Sequence, residues 1–278
     1  SINMSELVNY EDPDSLFTHI RFSDYSPLTR TNKTWEIESW GKRNIILSTA
    51  KGFLTIDPAT HEISRPMLVA NDGVHIDTVA NVSLYRENAS VLWMGTHRHD
   101  LFRLDERNGF LKHYPPKARD GQKLHDNIQY MQMDGFGNIW IGTNSGFELF
   151  DTTSGMFRDY LLSPPTGLVH EGVETKKMSL DNTGIFWLTA GKSGIYFLRK
   201  ESQLFKHYGL RDTARKALEM WSIVQWNDGS LWIGATGKII NIDPTTLEVR
   251  RIIDVLKGER PTYLYAAEND AYTDGSNF

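Results

Sequence analysis

Apolar residues along this chain come in short bursts separated by turn-forming residues, and the bursts recur in the same order. NIILSTAKGFLTID, SVLWMGTHRHDLFRLD, NIWIGTNSGFELFD, GIFWLTAGKSGIYFL and SLWIGATGKIINID are five versions of one phrase. A ruler set on the tryptophan slot reads Ile46, Trp93, Trp140, Trp187 and Trp232, giving steps of 47, 47, 47 and 45 residues. A constant period of this size marks a chain built from stacked copies of one supersecondary unit.

The content of one period decides which unit. The third copy has apolar runs at 128–134, 139–143, 147–151 and 156–160, rich in Ile, Trp, Phe and Tyr, a composition that suits strands. Between them lie Asp134-Gly135-Phe136-Gly137-Asn138, Asn144-Ser145-Gly146 and Asp151-Thr152-Thr153-Ser154-Gly155, all turn signals. Four short antiparallel strands per repeat make one propeller blade. The expected fold is therefore an all-β propeller with blades near 34–67, 78–114, 127–160, 173–208 and 220–252, each tryptophan slot lying on a second strand. A helical 3.6-residue period is weak even at its best, around 213–220, so helix should be scarce.

Both ends carry fragments of the same phrase. Phe17-Thr18-His19-Ile20 fits the slot occupied later by Leu111-Lys112-His113-Tyr114 and Phe205-Lys206-His207-Tyr208, which predicts an outer strand near 16–22. Asp274-Gly275-Ser276-Asn277-Phe278 repeats the lead-in Asp228-Gly229-Ser230-Leu231 with one residue inserted, and an inner strand is expected near 263–270. The expectation is one propeller fragment over 1–278: five complete blades, partial blade material at both ends, and a ring left open.

Composition narrows the function classes. A length of 278 residues suggests about two domains on average, but a ring of blades shares one continuous core. Charged residues make up 23% of the chain and no apolar run approaches eighteen residues, so no membrane-spanning helix and no membrane contact are expected here. Residues 1–22 lack the basic start and apolar stretch of a secretion signal. The absence of cysteine excludes disulfides and thiolate metal sites, and a net charge of −5 argues against a nucleic-acid partner.

The phrase read in 134–160, 91–114 and 228–243 resembles the two-component regulator propeller repeat, roughly "D..G.LWIGT..GL...D...G.F..Y". Ile46-Leu47-Ser48 and Leu188-Thr189-Ala190 depart from the Trp-Ile-Gly-Thr segment without breaking the period. The resemblance implies the periplasmic sensor region of a hybrid histidine kinase of Bacteroidetes. In such proteins paired seven-bladed rings precede a β-sandwich and a membrane span. It further implies a ligand-binding rather than catalytic module, sensing an oligosaccharide or other small ligand, with a neighbouring propeller or a second copy as partner. A propeller carbohydrate-active enzyme or lyase, and a scaffold for protein interaction or dimerisation, remain the other two readings.

Residues that repeat are read as structural. Trp93, Trp140, Trp187 and Trp232 should fill the wedges between sheets. Gly95, Gly142 and Gly234 should sit where a Cβ does not fit or backbone freedom is needed. Asp57, Asp105, Asp151 and Asp243 follow the third strand and should close Asx turns. Function is then expected where the copies differ, on the face that carries both the interblade connections and the loops between second and third strands. The candidate ligand-binding residues on those loops are Lys51, His97, Arg98, His99, Asp100, Lys192 and Lys238, a basic set that would suit an anionic sugar. Solvated loop tips explain them equally well. His97, His99 and Asp100 have a metal-like spacing, yet no metal, no cofactor and no catalytic residue is expected, because a closed ligand shell and an acid–base or nucleophile motif are both lacking.

Overall fold

The computed structural model describes residues 34–50, 52–76, 79–98, 100–116, 127–143, 146–160, 175–199, 206–211 and 217–254. These form five antiparallel sheets of four strands, each in simple sequential order. The first contains β1 (Thr34–Trp40), β2 (Asn44–Thr49), β3 (Gly52–Ile56) and β4 (Ile63–Ser64); the second β5 (Asn81–Asn88), β6 (Val91–Thr96), β7 (Leu101–Asp105) and β8 (Phe110–Tyr114). The third contains β9 (Tyr130–Met133), β10 (Ile139–Gly142), β11 (Phe147–Asp151) and β12 (Met156–Tyr160). The fourth is β13 (Lys177–Leu180), β14 (Phe186–Thr189), β15 (Ile195–Leu198) and β16 (Lys206–Tyr208), and the fifth β17 (Met220–Gln225), β18 (Leu231–Ala235), β19 (Lys238–Ile242) and β20 (Val249–Asp254). Among the described residues there is no helix, and hence none long and apolar enough to cross a membrane.

This is the all-β propeller that the period predicts. The slot residues Ile46, Trp93, Trp140, Trp187 and Trp232 all fall on second strands, and the register repeats from sheet to sheet. The residue two beyond the slot pairs with the start of the first strand: Gly95 with Ser83, Gly142 with Tyr130, Thr189 with Lys177 and Gly234 with Ser222. First strands also neighbour one another, β1 beside β5, β5 beside β9, β9 beside β13 and β13 beside β17. They are therefore the inner edge of each blade, around the axis. The outer strand near 16–22 and the inner strand near 263–270 lie outside the described residues.

The core lies between the sheets. One cluster joins Ile46 and Phe53 of the first blade to Leu84, Leu92, Met94 and Phe102 of the second. Another joins Trp93 and Leu101 to Ile128, Ile139, Ile141 and Phe150. Trp140 then packs on Phe186 and Leu188, and Trp187 on Met220, Ile233 and Ile240. Trp93, Trp140 and Trp187 are almost wholly buried, at 1%, 3% and 0% exposure, whereas Trp232 is half-buried. Burying an indole removes about 150–250 Å² from water, which is why one aromatic slot per repeat can hold neighbouring sheets together.

Turns follow the expected chemistry. Asp57 Oδ1 accepts the N–H groups of Ala59 and Thr60, Asp105 Oδ1 that of Arg107, Asp151 Oδ1 those of Thr153 and Ser154, and Asp243 Oδ1 those of Thr245 and Thr246. Hydrogen bonds to the ionised form hold the carboxyls of Asp151 and Asp243 below the usual carboxylate range, and the Arg107 guanidinium brings Asp105 down to about 2.

Candidate functional site

Three recurring backbone bonds fix which loops share a face. Thr96 O accepts Ile128 N at 3.1 Å, Thr143 O accepts Thr175 N at 3.1 Å, and Gly191 O accepts Met220 N at 3.1 Å. Each stitches the loop between second and third strands of one blade to the segment leading into the next. The glycine beneath makes the close approach possible. A Cβ on Gly95 would lie 2.4 Å from Ile128 Cγ2, and one on Gly142 2.5 Å from Thr175 Cγ2. Both kinds of loop therefore emerge on the same face, where the inner strands also begin.

The candidate residues on that face are dispersed. Lys51 and His99 lie outside the described residues. His97 and Arg98 form an exposed turn after β6, held by the bond from His97 N to Ala80 O and from Arg98 N to Thr96 Oγ1. Lys192 is exposed in the turn between β14 and β15. Asp100 and Lys238 instead engage outer strands: Asp100 Oδ1 bonds His113 Nε2 of β8 at 2.9 Å, and the Lys238 ammonium bonds Asp254 of β20. Among the described residues no group of three His, Asp or Glu side chains could hold a metal.

His113 belongs to an arrangement not foreseen from sequence. The connection from first to second blade folds back as a small hairpin bridged at Val69 and His75 and lies over β8, with Asn71 N bonded to Leu111 O at 2.9 Å. His113 Nδ1 bonds Asp72 Oδ2 of that hairpin at 2.6 Å, while Nε2 bonds Asp100. The imidazole stacks on Phe102 with centroids 4.4 Å apart. It ties together the hairpin, the loop after β6 and the outer strand.

A more concentrated set sits at the start of the inner strands. Position ten before the slot holds Glu36, Ser83, Tyr130, Lys177 and Ser222; position eleven before it holds Trp35, Gln129, Lys176 and Trp221 in the first, third, fourth and fifth repeats. The next position along is apolar in every copy: Ile37, Leu84, Met131, Met178 and Ile223. Ser83 and Ser222 are buried, and Ser83 Oγ donates to Ile128 O at 2.8 Å. Apart from Gln129, the other side chains named at positions ten and eleven are aromatic or charged, and all are partly open. Lys176 Nζ lies over the Trp221 ring at 4.4 Å from its centroid, and Trp221 Nε1 donates to Thr236 Oγ1 at 3.0 Å. Lys177 Nζ lies 5.4 Å over Tyr130.

Glu36 adds a carboxyl to this set from the first blade. Its Oε2 accepts the Leu84 N–H, and burial raises the carboxyl to about 7, with the Lys177 charge and that N–H pulling it back down. Lys177 belongs to the fourth blade and Glu36 to the first. The Lys177 charge is thus felt by a carboxyl of a blade that is not its neighbour in sequence.

Residues 123–145 match the two component regulator propeller family. Among solved structures the chain is similar to the extracellular domain assigned to a hybrid two component system of B. thetaiotaomicron. The TM-score is 0.60 at 17% identity, and the likeness covers 78% of this chain and 29% of that one. A second such extracellular domain from the same organism gives a TM-score of 0.61 at 16% identity, over 81% of this chain and 30% of that one. A luciferin-regenerating enzyme has the same kind of fold, with a TM-score of 0.52, 10% identity, and coverage of 86% of this chain and 81% of that one. No curated protein matches the chain. The chain spans about three tenths of the length of the two extracellular domains, and at these identities the likeness establishes the propeller fold.

Proposed function

We propose that this propeller is part of the extracytoplasmic, periplasmic sensor region of a two-component regulatory protein and that it recognises an oligosaccharide without cleaving it. The observation that carries this reading is the two component regulator propeller match at residues 123–145. It falls within a chain whose fold resembles extracellular domains of such systems. The distribution of residues supports it: what repeats serves packing and turns, and what varies gathers on one face. Recognition becomes a signal when the ligand binds one arrangement of the receptor better than another, since only differential affinity shifts an equilibrium. A neighbouring propeller or a second copy would supply the other half of that arrangement.

The test is a calorimetric screen of the purified chain against acidic and neutral oligosaccharides, with product analysis on the same mixtures. Saturable binding with the sugars recovered intact supports sensing. Release of shortened sugars would assign the propeller to a carbohydrate-active enzyme instead, and no binding to any sugar would reject oligosaccharide recognition.

A further inference from the structure

We propose that the ligand site is the axial opening itself, at the start of the inner strands, and that it takes an acidic sugar residue. Lys176 and Lys177 hold the acid group, and Trp221, Tyr130 and Trp35 offer surfaces to the sugar ring. This inference rests on the oligosaccharide reading above and gives it a place and a ligand class.

Four observations converge on it. First, these positions are structurally equivalent in the second to fifth repeats, as the pairing of Ser83, Tyr130, Lys177 and Ser222 with the residue two beyond the slot shows. Glu36 stands at the same spacing in the first, its N–H bonded to Ser48 Oγ. A propeller built only for packing would repeat these positions, as it repeats the apolar position one step further on. Here they diverge, with aromatic or charged side chains at Trp35, Glu36, Tyr130, Lys176, Lys177 and Trp221 and small or neutral ones at Val82, Ser83, Gln129 and Ser222. Second, the two lysines are consecutive and lead into one inner strand, β13. Alternate side chains of an extended segment point to opposite sides, so Lys176 leans over Trp221 of the fifth blade and Lys177 over Tyr130 of the third. They span the ring on both sides of the fourth blade. Third, Trp35, at 37% exposure, is one of the more open large side chains of the described ring and stands at the matching place in the first blade. Fourth, the Lys177 charge acts on the Glu36 carboxyl, holding it below where burial alone would put it, so an acid group of another blade already feels that cation.

The chemistry fits a uronate or sulfated sugar better than a neutral one. An aromatic face takes the C–H side of a pyranose by dispersion and burial. A lysine poised over the same ring supplies a charge-assisted hydrogen bond to an acid on that sugar. Among the described loop-tip residues, Asp100 and Lys238 are already engaged at outer strands.

Titration calorimetry of the full chain with trigalacturonate, a heparin-derived disaccharide and maltotriose tests it. The two acidic probes should bind at least tenfold more tightly than maltotriose. The double variant Lys176→Gln/Lys177→Gln should lose tenfold or more for the acidic probes and little for maltotriose, with an unchanged melting temperature showing that it folds. Glu36→Gln, which removes a negative charge that acts on Lys177, should tighten acidic binding. Acidic binding that survives the lysine change but disappears in Arg98→Ala/Lys192→Ala overturns the axial site and leaves oligosaccharide sensing standing. Equal affinity for maltotriose and the acidic probes overturns the ligand class, and binding to none of the three overturns both readings.

Discussion

Asp181 Oδ2 accepts the indole N–H of Trp187 at 2.7 Å from six residues upstream. Its other oxygen accepts Thr183 N, Thr183 Oγ1 and Ile185 N, closing the turn between β13 and β14. The same relation joins Asp134 to Trp140 at 3.2 Å and Glu87 to Trp93 at 2.7 Å. A fully buried indole needs a partner for its N–H, and the carboxylate that shapes the turn provides it. The aspartate of the repeat thus serves the core as well as the loop.

Replacing Asp181 by Ala should cost roughly 2–4 kcal/mol in urea unfolding, because a buried N–H and a turn lose their acceptor together. Asp181→Asn should recover little, since its amide would present a donor to the indole donor. Asp228→Ala is the comparison. Trp232 donates to Ser230 Oγ rather than to that aspartate, so the cost should be nearer about 1 kcal/mol.

Gly142→Ala should destabilise by about 1–3 kcal/mol through overpacking against Thr175. Trimming the neighbour with Thr175→Ala should recover part of that loss, so the two changes are non-additive in the same unfolding experiment. Strict additivity would mean that the stitch between third and fourth blades yields without strain.

Glu36 sets a pH dependence whose sign is fixed by its carboxyl lying near 7 rather than 4.5. Folding favours the protonated form, so the contribution is complete below the unfolded value and is lost as pH rises through 7. Glu36→Gln keeps an acceptor for the Leu84 N–H and carries no charge. Its melting temperature should equal the parent's near pH 4.5 and exceed it by ~2–4 °C at pH 8. A gain that is the same at both pH values would contradict the raised carboxyl.

His113→Phe preserves a ring on Phe102 but leaves Asp72 and Asp100 without their donor. The hairpin around Val69 and His75 should become the first site of limited proteolysis. The His113 bond holds Asp72 below the usual carboxylate range, so its contribution is present at neutral pH and fades as pH falls through that lowered value. The stability difference between parent and variant should therefore narrow in acid.

Much of the fold was legible because the chain states it five times. The slot residues, the Asx turns at Asp57, Asp105, Asp151 and Asp243, and the bare glycines at Gly95 and Gly142 all follow from comparing one copy with the next. The face shared by the interblade connections and the loops between second and third strands was legible as well, and Arg98 and Lys192 lie exposed on it. Lys176, Lys177 and Trp221, the residues of the proposed axial site, belong to strand beginnings, where length and polarity look ordinary. A column drawn ten and eleven residues before each slot would have exposed them, since it diverges beside an apolar column that does not. The Asp72–His113–Asp100 bridge had no such signal: it joins an interblade hairpin to an outer strand, and only the folded chain brings them together.

The indole bonds and the core clusters divide the accounts of each blade in a way that bears on how such rings lengthen. The indole N–H is met inside the blade, as Asp134 meets Trp140. Apolar demands are met by the blade that follows, as Phe186 and Leu188 meet the same Trp140. A unit of 47 residues copied in tandem therefore arrives with its donors already matched and an apolar flank ready for its successor. Such a duplication succeeds only when it is cut in the connections between blades, because a cut between an aspartate and its tryptophan would separate a buried donor from its acceptor.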